Sequence, residues 1–574
     1  MQNLVKRSLI AGFSAALAAL ILYGFSVSVE LPPGHDSAEL IAAAASGGIA
    51  HPPGYPLYTM LGHILCQLNL ASPILTMNLL AALCGALAVG FLAAALSLFT
   101  SSARMGTAAA AIFAVAVTPW RLSVGAEVFS LHLAFVAALL FLAALWRVHE
   151  ARRLWLGCAA LVFGLAGAHH QTIVLLLPPL AAFVWQSRRE ESKGDKVRRP
   201  WGWTWWAPAL AALGLAPYLY LPWKAAQHPA LNWGNPSTWD GFWWVVLRRG
   251  YGGLQLSAQS AVHPDPLYHL GHWCASISLQ QFPLLAFILG LAGAVYAWKN
   301  QRAQRYLWGG ICLIAGPVWL CVGQQPAGEG YVDMLERFYA TSYLGFAGLI
   351  AWGLAACKER LKTGERGALV AAIVALSLGL GLNYQRASAR GYFTVSDTAA
   401  AMLQSVPDGA LAITCNDLTS GAFMYAAAVE GRRFMHISSG LINSPWYLEQ
   451  LEQEQAEALR QGGLAELLCA ERRRGREVYC EAILPGVNEG FFVPCGLMYR
   501  YLAPGEAVPD RTQASIAALL ALENAPRRNA TTPSYRPFWE RLYYERWRGA
   551  YGELIEGLPA GSKMRAVAES KASK

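Results

Sequence analysis

Long apolar stretches fill the first two thirds of the chain, separated by short polar connections. A helix needs about 20 predominantly apolar residues to cross a bilayer. The stretches at 8–29, 74–99, 104–119, 127–146, 154–169, 172–186, 204–222, 281–298, 306–322, 338–356 and 367–384 predict about eleven transmembrane helices. Several are short, and 154–186 reads either as two spans or as one long broken one. The stretch at 8–29 is longer than a secretory h-region, and no Ala-x-Ala site precedes the acidic loop that follows it. It therefore reads as an uncleaved first helix. Residues 57–70 read as an amphipathic helix lying on the membrane surface.

From residue 385 onward no span appears. Residues 410–415 read as a buried strand, 418–429 as a helix and 433–437 as a second strand, which makes a β-α-β unit. Residues 477–483 and 491–501 add strand-like runs, and 446–474 and 512–523 look helical. No glycine fingerprint follows the first strand, which disfavours nucleotide binding. The fold class expected is a polytopic α-helical membrane protein with a C-terminal α/β domain. Its parts would be a transmembrane domain over 1–384, the α/β domain over 385–557 and a disordered Gly/Ala/Ser/Lys-rich tail over 558–574.

Composition agrees with a membrane class. Of 574 residues 55% are hydrophobic and 14% charged, against roughly 25% charged in an ordinary soluble protein. That excludes a disordered chain, a coiled coil and a nucleic-acid-binding tail protein. The 21 Trp and 23 Tyr suit membrane interfaces. The 11 Cys are scattered with no CxxC, so no zinc site is expected. Cys415, Cys469, Cys480 and Cys495 fall in the C-terminal domain, where pairing stays open. No metal and no cofactor is expected.

Net charge is +9. Residues 1–384 hold 24 Lys+Arg and 15 Asp+Glu, and the remainder holds 21 of each sign. The excess therefore sits among the spans, where it sets orientation. With Lys6 and Arg7 placed in the cytoplasm, 19 cations fall in inside loops. Only Arg121, Lys224, Arg248, Arg249 and Arg337 fall outside. The reading is a bacterial inner membrane protein, N-terminus cytoplasmic and C-terminal domain periplasmic.

Polar residues gather at the outer ends. The first outer loop carries His35, Asp36 and Glu39, then His51-Pro-Pro-Gly-Tyr55. Asp36 also reads as a plain cap for a helix beginning at Ser37. Further along stand Arg121 and Glu127, with His132 five residues deeper, and then His169-His170 between two apolar stretches. Two His inside an apolar region suggest function, and interfacial packing explains them as well. A long outer loop holds Lys224, Asn232, Trp233, Arg248 and Arg249. An aromatic belt accounts for its Trp residues but not for its amides and cations. Glu336 and Arg337 open a late span, and pairing with each other at the surface is the plain reading. The outer cations run against the positive-inside bias, and a bound phosphate is one reason for them; together the outer segments suggest an integral membrane enzyme whose site opens outward and takes an anionic lipid-linked substrate.

These residues resemble a known family. Asp36-Ser-Ala-Glu39 followed by His51-Pro-Pro-Gly-Tyr-Pro-Leu-Tyr58 resembles the start of polytopic glycosyltransferases of the GT-C superfamily, bacterial relatives of the vertebrate transmembrane O-mannosyltransferases that act on plexin-type receptors. Weaker matches are Ala126-Glu-Val-Phe-Ser-Leu131, His169-His-Gln-Thr172, Tyr220-Leu-Pro222, Leu231-Asn-Trp-Gly-Asn-Pro236 and Glu336-Arg-Phe-Tyr339. The resemblance spans residues 5–505 and departs from the commoner Asp-x-Gly-Glu by having Ala38. It implies a GT-C-like fold and a dolichyl- or undecaprenyl-phosphate-sugar donor. It further implies attack on the outer face with inversion, and Asp36 as the general base. Asp36, Glu39 and Glu127 are then the catalytic candidates. His35, His51, Tyr55, Arg121, His169, His170, Lys224, Asn232, Trp233, Arg248, Arg249, Glu336 and Arg337 are the substrate-binding candidates. Partners expected are the lipid bilayer, the lipid-linked sugar, most simply a hexose of the mannose type, and a protein or glycan acceptor, with no nucleic acid. Two other classes stay open. A lipid-linked sugar transporter should carry inverted repeats and midplane polar groups. A non-catalytic scaffold subunit would be favoured by loss of Asp36 or Glu127, and both are present.

Overall fold

The computed structural model describes residues 2–34, 36–149, 151–194, 205–253, 265–323, 325–326, 331–360, 364–524 and 537–573. The chain divides into two compact units. The helical unit comprises residues 1–28, 51–226 and 237–390, and the α/β unit comprises 29–50, 227–236 and 391–574.

Helical segments occupy the apolar stretches of the sequence, and the protein is a multi-pass membrane protein. Among the described residues six helices are long and apolar enough to cross a membrane: Gln2–Ser26, Pro73–Phe99, Val128–Val148, Arg302–Val322, Met334–Arg360 and Gly364–Ala387. The other stretches are short or interrupted. The span expected at 104–119 breaks between Ala103–Ala114 and Val117–Leu122, and Leu284–Asn300 falls short of the length required.

The Pro73–Phe99 helix lies at the centre of its unit and packs against Gln2–Ser26, Ala103–Ala114 and Val128–Val148. Its start is fixed by Ser72, whose Oγ accepts from Leu75 N at 3.3 Å, with Pro73 in the first turn. Small residues bring helices close, as in lipid-embedded bundles. A Cβ on Gly12 would stand 2.8 Å from the Gly90 carbonyl oxygen, and Gly293 and Gly353 admit a neighbouring backbone in the same way. On Gln2–Ser26 the residues Leu9, Phe13, Leu17, Ile21 and Phe25 recur every fourth position and remain exposed. That is the pattern of a lipid-facing stripe.

Among the described residues two segments are π-helical, Ser276–Gln281 and Ile314–Val318. The second contains Pro317, which has no N–H to donate. In π spacing the carbonyl left over is that of Cys312. Ser342 Oγ donates to it at 2.7 Å and accepts from Trp273 Nε1 at 2.8 Å, so the Val332–Arg360 helix makes up the lost bond.

The α/β unit holds a five-stranded sheet. Its strands are β1 (Leu411–Thr414), β2 (Met435–Ser438), β3 (Val478–Cys480), β4 (Phe491–Cys495) and β5 (Met498–Leu502), in the order β2-β1-β3-β5-β4. β1 runs parallel to β2 and β3, and β5 is antiparallel to β3 and β4. The β-α-β reading holds. The single run expected at 491–501 is a hairpin, reversed at Gly496, whose φ of 61 suits glycine. Side chains alternate between two cores: Leu411 and Ile413 enter one, and Ala412 enters the other. All four cysteines of 391–574 are free thiols.

Two expectations need correction. The loop after the first helix is built into the α/β unit, although it precedes most of the spans in sequence. Its Ser37–Ser46 helix packs on the Asp417–Ala428 helix, where a Cβ on Gly421 would lie 2.8 Å from Glu39 N. Ile49 N donates to the Leu231 carbonyl at 2.8 Å, and Leu31 N donates to Ser396 Oγ at 3.0 Å. Hydropathy locates spans but does not say which body a connecting loop packs on. The tail expected to be disordered carries a helix, Lys563–Ala572. Ser562 Oγ accepts from Arg565 N at 3.1 Å to cap it, and Leu558 and Ala568 are buried in a hydrophobic core.

Candidate functional site

In the helical unit the polar candidates meet around the start of the Val128–Val148 helix. Glu127 stands at its N-cap in an extended conformation, and its side chain makes no capping bond. Instead its Oε1 lies 3.4 Å from Arg337 Nη1. Both side chains are largely buried, at 6% and 13% exposure. The Arg337 guanidinium sits over the Phe129 ring, 5.6 Å from its centroid. One helical turn on from each of these, His132 Nε2 lies 3.1 Å from Thr341 Oγ1.

The two adjacent histidines occupy the break between the Arg152–Gly167 helix and the 3₁₀ turn Gln171–Leu176. They do different work. His169 Nε2–H donates to the Val128 carbonyl at 2.8 Å and ties this break to the helix start. His170 Nδ1 bonds Thr172 Oγ1 at 2.6 Å, and its ring stacks among Phe129, His132 and Tyr55. Burial, then the neighbouring His132 and His169, then the positive charges of Arg248 and Arg337 hold the His170 imidazole well below its ordinary range. At neutral pH it is therefore an uncharged hydrogen-bonding group, with the cations close by supplying the positive field.

Tyr55 reaches this cluster from the turn His51-Pro-Pro-Gly-Tyr. Gly54 has φ 90, and a Cβ there would meet Leu221 Cδ2 at 2.9 Å, so only glycine fits. Tyr55 itself is left-handed, with φ 39, and the His51 ring meets it edge-on at 5.2 Å.

Glu336 and Arg337 do not pair with each other. Successive helix residues face apart, and Glu336 turns into the bundle, 2% exposed. Its Oε2 accepts from Tyr343 OH at 2.5 Å, Gln281 Nε2 at 2.9 Å and Thr118 Oγ1 at 3.2 Å. Gln281 Oε1 in turn accepts from Thr118 N at 2.8 Å. This network joins the Val117–Leu122 helix, the π-helical Ser276–Gln281 segment and the Val332–Arg360 helix. Of the remaining candidates, Arg249 pairs with the exposed Asp240 at 2.8 Å. Lys224 lies 6.0 Å from the Trp223 ring and Arg248 5.0 Å from the Tyr251 ring. Arg121 ends the short Val117–Leu122 helix.

In the α/β unit Asp36 takes the N-cap position of Ser37–Ser46, yet its side chain makes no capping bond. The cap reading therefore does not account for the carboxylate. Glu39 lies in the first turn, buried. Asn232 and Trp233 hold the segment that pairs with Ile49. The Asn232 carbonyl accepts from Gln450 Nε2 at 2.8 Å, and Trp233 packs on Trp446 at 5.4 Å. His35 lies outside the described residues. Among the described residues no group of three His, Cys, Asp or Glu side chains is placed to hold a metal ion.

Residues 36–193 match the family model of the protein O-mannosyl-transferase TMEM260 N-terminal domain. The chain is 27% identical over 463 residues to protein O-mannosyl-transferase TMEM260 of Mus musculus, covering 76% of this chain and 64% of that protein. It is 27% identical over 330 residues to the namesake in Dictyostelium discoideum, covering 53% and 39%. Among solved structures, the apo oligosaccharyltransferase of Archaeoglobus fulgidus superposes with a TM-score of 0.51 at 13% identity, over 88% of this chain and 75% of that one. ArnT of Cupriavidus metallidurans bound to undecaprenyl phosphate superposes with a TM-score of 0.50 at 12% identity, over 86% and 98%. The chain is thus similar in sequence to protein O-mannosyl-transferases and in fold to these membrane transferases. It spans less than two thirds of the length of the two curated relatives. The matched stretch contains Asp36, Glu39, His51, Tyr55, Arg121, Glu127, His169 and His170, and the later candidates fall beyond it.

Sequence reading left out Phe129, Phe338, Thr341, Thr118 and Gln281, which complete these contacts. Helical spacing carried part of the signal. Phe129 and His132 are three apart, and Arg337 and Thr341 four apart, so each pair shares a face.

Proposed function

We propose that this protein is a membrane glycosyltransferase. It moves a hexose of the mannose type from a polyprenyl-phosphate donor to a hydroxyl acceptor, most simply on a protein. What carries the reading is the family match over 36–193, the stretch that holds the candidate carboxylates Asp36, Glu39 and Glu127. In the proposed reaction the acceptor oxygen attacks the anomeric carbon from the face opposite the phosphate. The C1–O bond to phosphate breaks, its electron pair leaves with the lipid phosphate, and the configuration inverts. The acceptor proton passes to Asp36 acting as general base. Positive charge stabilises the leaving phosphate, with Arg248 and Arg337 as the nearest candidates around His170. The reaction is placed on the outer face of a bacterial inner membrane. The loop charge bias supports that side, with 19 cations on one side and 5 on the other.

The test uses the full chain in lipid nanodiscs, with polyprenyl-phosphate mannose or glucose and mass spectrometry of acceptor proteins. Asp36→Asn is expected to lower turnover by about 10²–10⁴-fold, the range for a lost general base, with an unchanged melting temperature. Full turnover by that variant removes Asp36 from the role. Absence of any sugar transfer by the wild type removes the glycosyltransferase reading.

A further inference from the structure

Within the helical unit a narrow cleft, with enclosed room of about 10 Å³, that of one water-sized group, is lined by Phe129, His132, Trp319, Arg337, Phe338 and Thr341, among others. It adjoins the π-helical Ile314–Val318 segment, which supplies Ala315 to its wall. π-bulges of this sort are frequent at functional sites.

Three observations define what the cleft accepts. His132 is 3% exposed and is held through Nε2 by Thr341, yet its Nδ1 is buried with no hydrogen-bond partner. Trp319 Nε1, a donor only, is also buried without a partner. A buried polar atom usually finds a partner, and two on one cleft mark a place where a small polar group can meet both. The enclosed room fits a group of water size and is too small for a phosphate. A hydroxyl fits, and it can accept from the indole N–H while bonding the imidazole nitrogen in either tautomer. Phe129 and Phe338, edge to face at 5.2 Å, give the cleft an apolar wall beside these polar atoms.

We propose that this cleft seats one ring hydroxyl of the donor hexose, and that His132, oriented by Thr341, determines specificity for it. The proposal rests on the glycosyltransferase reading and adds the subsite that reads the sugar.

A series of polyprenyl-phosphate mannose donors, each lacking the hydroxyl at position 2, 3, 4 or 6, tests it with the full chain in nanodiscs. For the wild type, kcat/KM is expected to fall by on the order of 10²-fold or more for one member of the series, as in sites built to bond a substrate hydroxyl. His132→Ala and His132→Phe are expected to lose that discrimination, handling the same deoxy donor and the parent within about threefold while the other ratios stay as in wild type. Should neither variant fold, Thr341→Val frees the ring and is expected to shrink the same ratio. A wild type indifferent to every deletion overturns the proposal, as does a His132 variant that slows all donors and keeps the wild-type ratio. A flat series with active enzyme leaves the glycosyltransferase reading standing. A wild type inactive with every donor fails that reading first, and this proposal with it.

Discussion

Arg337 illustrates how one charge at the edge of a helical bundle is held. Its guanidinium has a carboxylate, Glu127, on one side and the face of Phe129 beneath it. Removing one partner of a buried pair costs about 3–5 kcal/mol, because the other charge is left uncompensated in a poor solvent. Arg337→Met is therefore expected to lower the melting temperature measured in detergent. The Glu127→Gln/Arg337→Met double variant, which leaves no lone charge, should recover most of the loss. Equal falls in the single and double variants would show that the pair contributes nothing. Glu336, one residue earlier, is bonded entirely within the bundle. Of two neighbouring charges at one helix start, then, one serves the candidate site and the other locks helices together.

At the scale of elements, the α/β unit places a protein carboxylate where related sheets hold ligand. Parallel α/β sheets bind anions at strand C-terminal ends beside a helix N-terminus. Here Glu481 follows β3 and is 2% exposed. It accepts from Cys415 N at 2.6 Å and Thr419 Oγ1 at 2.7 Å at the start of the Asp417–Ala428 helix, and from Arg546 Nη1 at 2.7 Å. The absence of a glycine fingerprint in the sequence has this physical counterpart, a site already filled by a side chain. Glu481→Ala would orphan the Arg546 charge and two helix-start donors. It is expected to destabilise the unit by about 3–5 kcal/mol. The measurement is amide hydrogen exchange, which should speed up across β1 and the helix after it. Unchanged protection there would assign the fold's stability elsewhere.

At the scale of the whole molecule, the positive excess describes topology. In the proposed topology 19 cations lie in inside loops, which puts the C-terminal unit on the opposite side from Lys6 and Arg7. An alkaline phosphatase fused after residue 573 is expected to be active in intact bacteria. The same reporter fused after Arg152 or within 361–366 should be inactive. A reversed result would invert the orientation and with it the face on which transfer is placed. The C-terminal segment 385–574, with 21 charges of each sign, pairs many of them internally. Arg472 meets Glu506 at 2.7 Å and Arg476 meets Glu471 at 2.5 Å.

The sequence by itself determined the membrane class, the apolar stretches that become helices, the β-α-β start of the C-terminal unit and the block that carries the family likeness. These follow from run length, period and local motif, which are properties of neighbours in the chain. It also brought Asp36, Glu127, His169 and Arg337 forward, because a charge or imidazole within apolar surroundings is conspicuous in one dimension. Only the tertiary structure decided which of them meet. Glu127 and Arg337 are 210 residues apart in sequence. The partner of His132 is a threonine 209 residues away. The loop after the first helix packs with residues beyond 390, and the 558–574 tail docks through a few alanines and leucines. Such contacts depend on which faces come together when the helices pack, and local pattern carries no record of that.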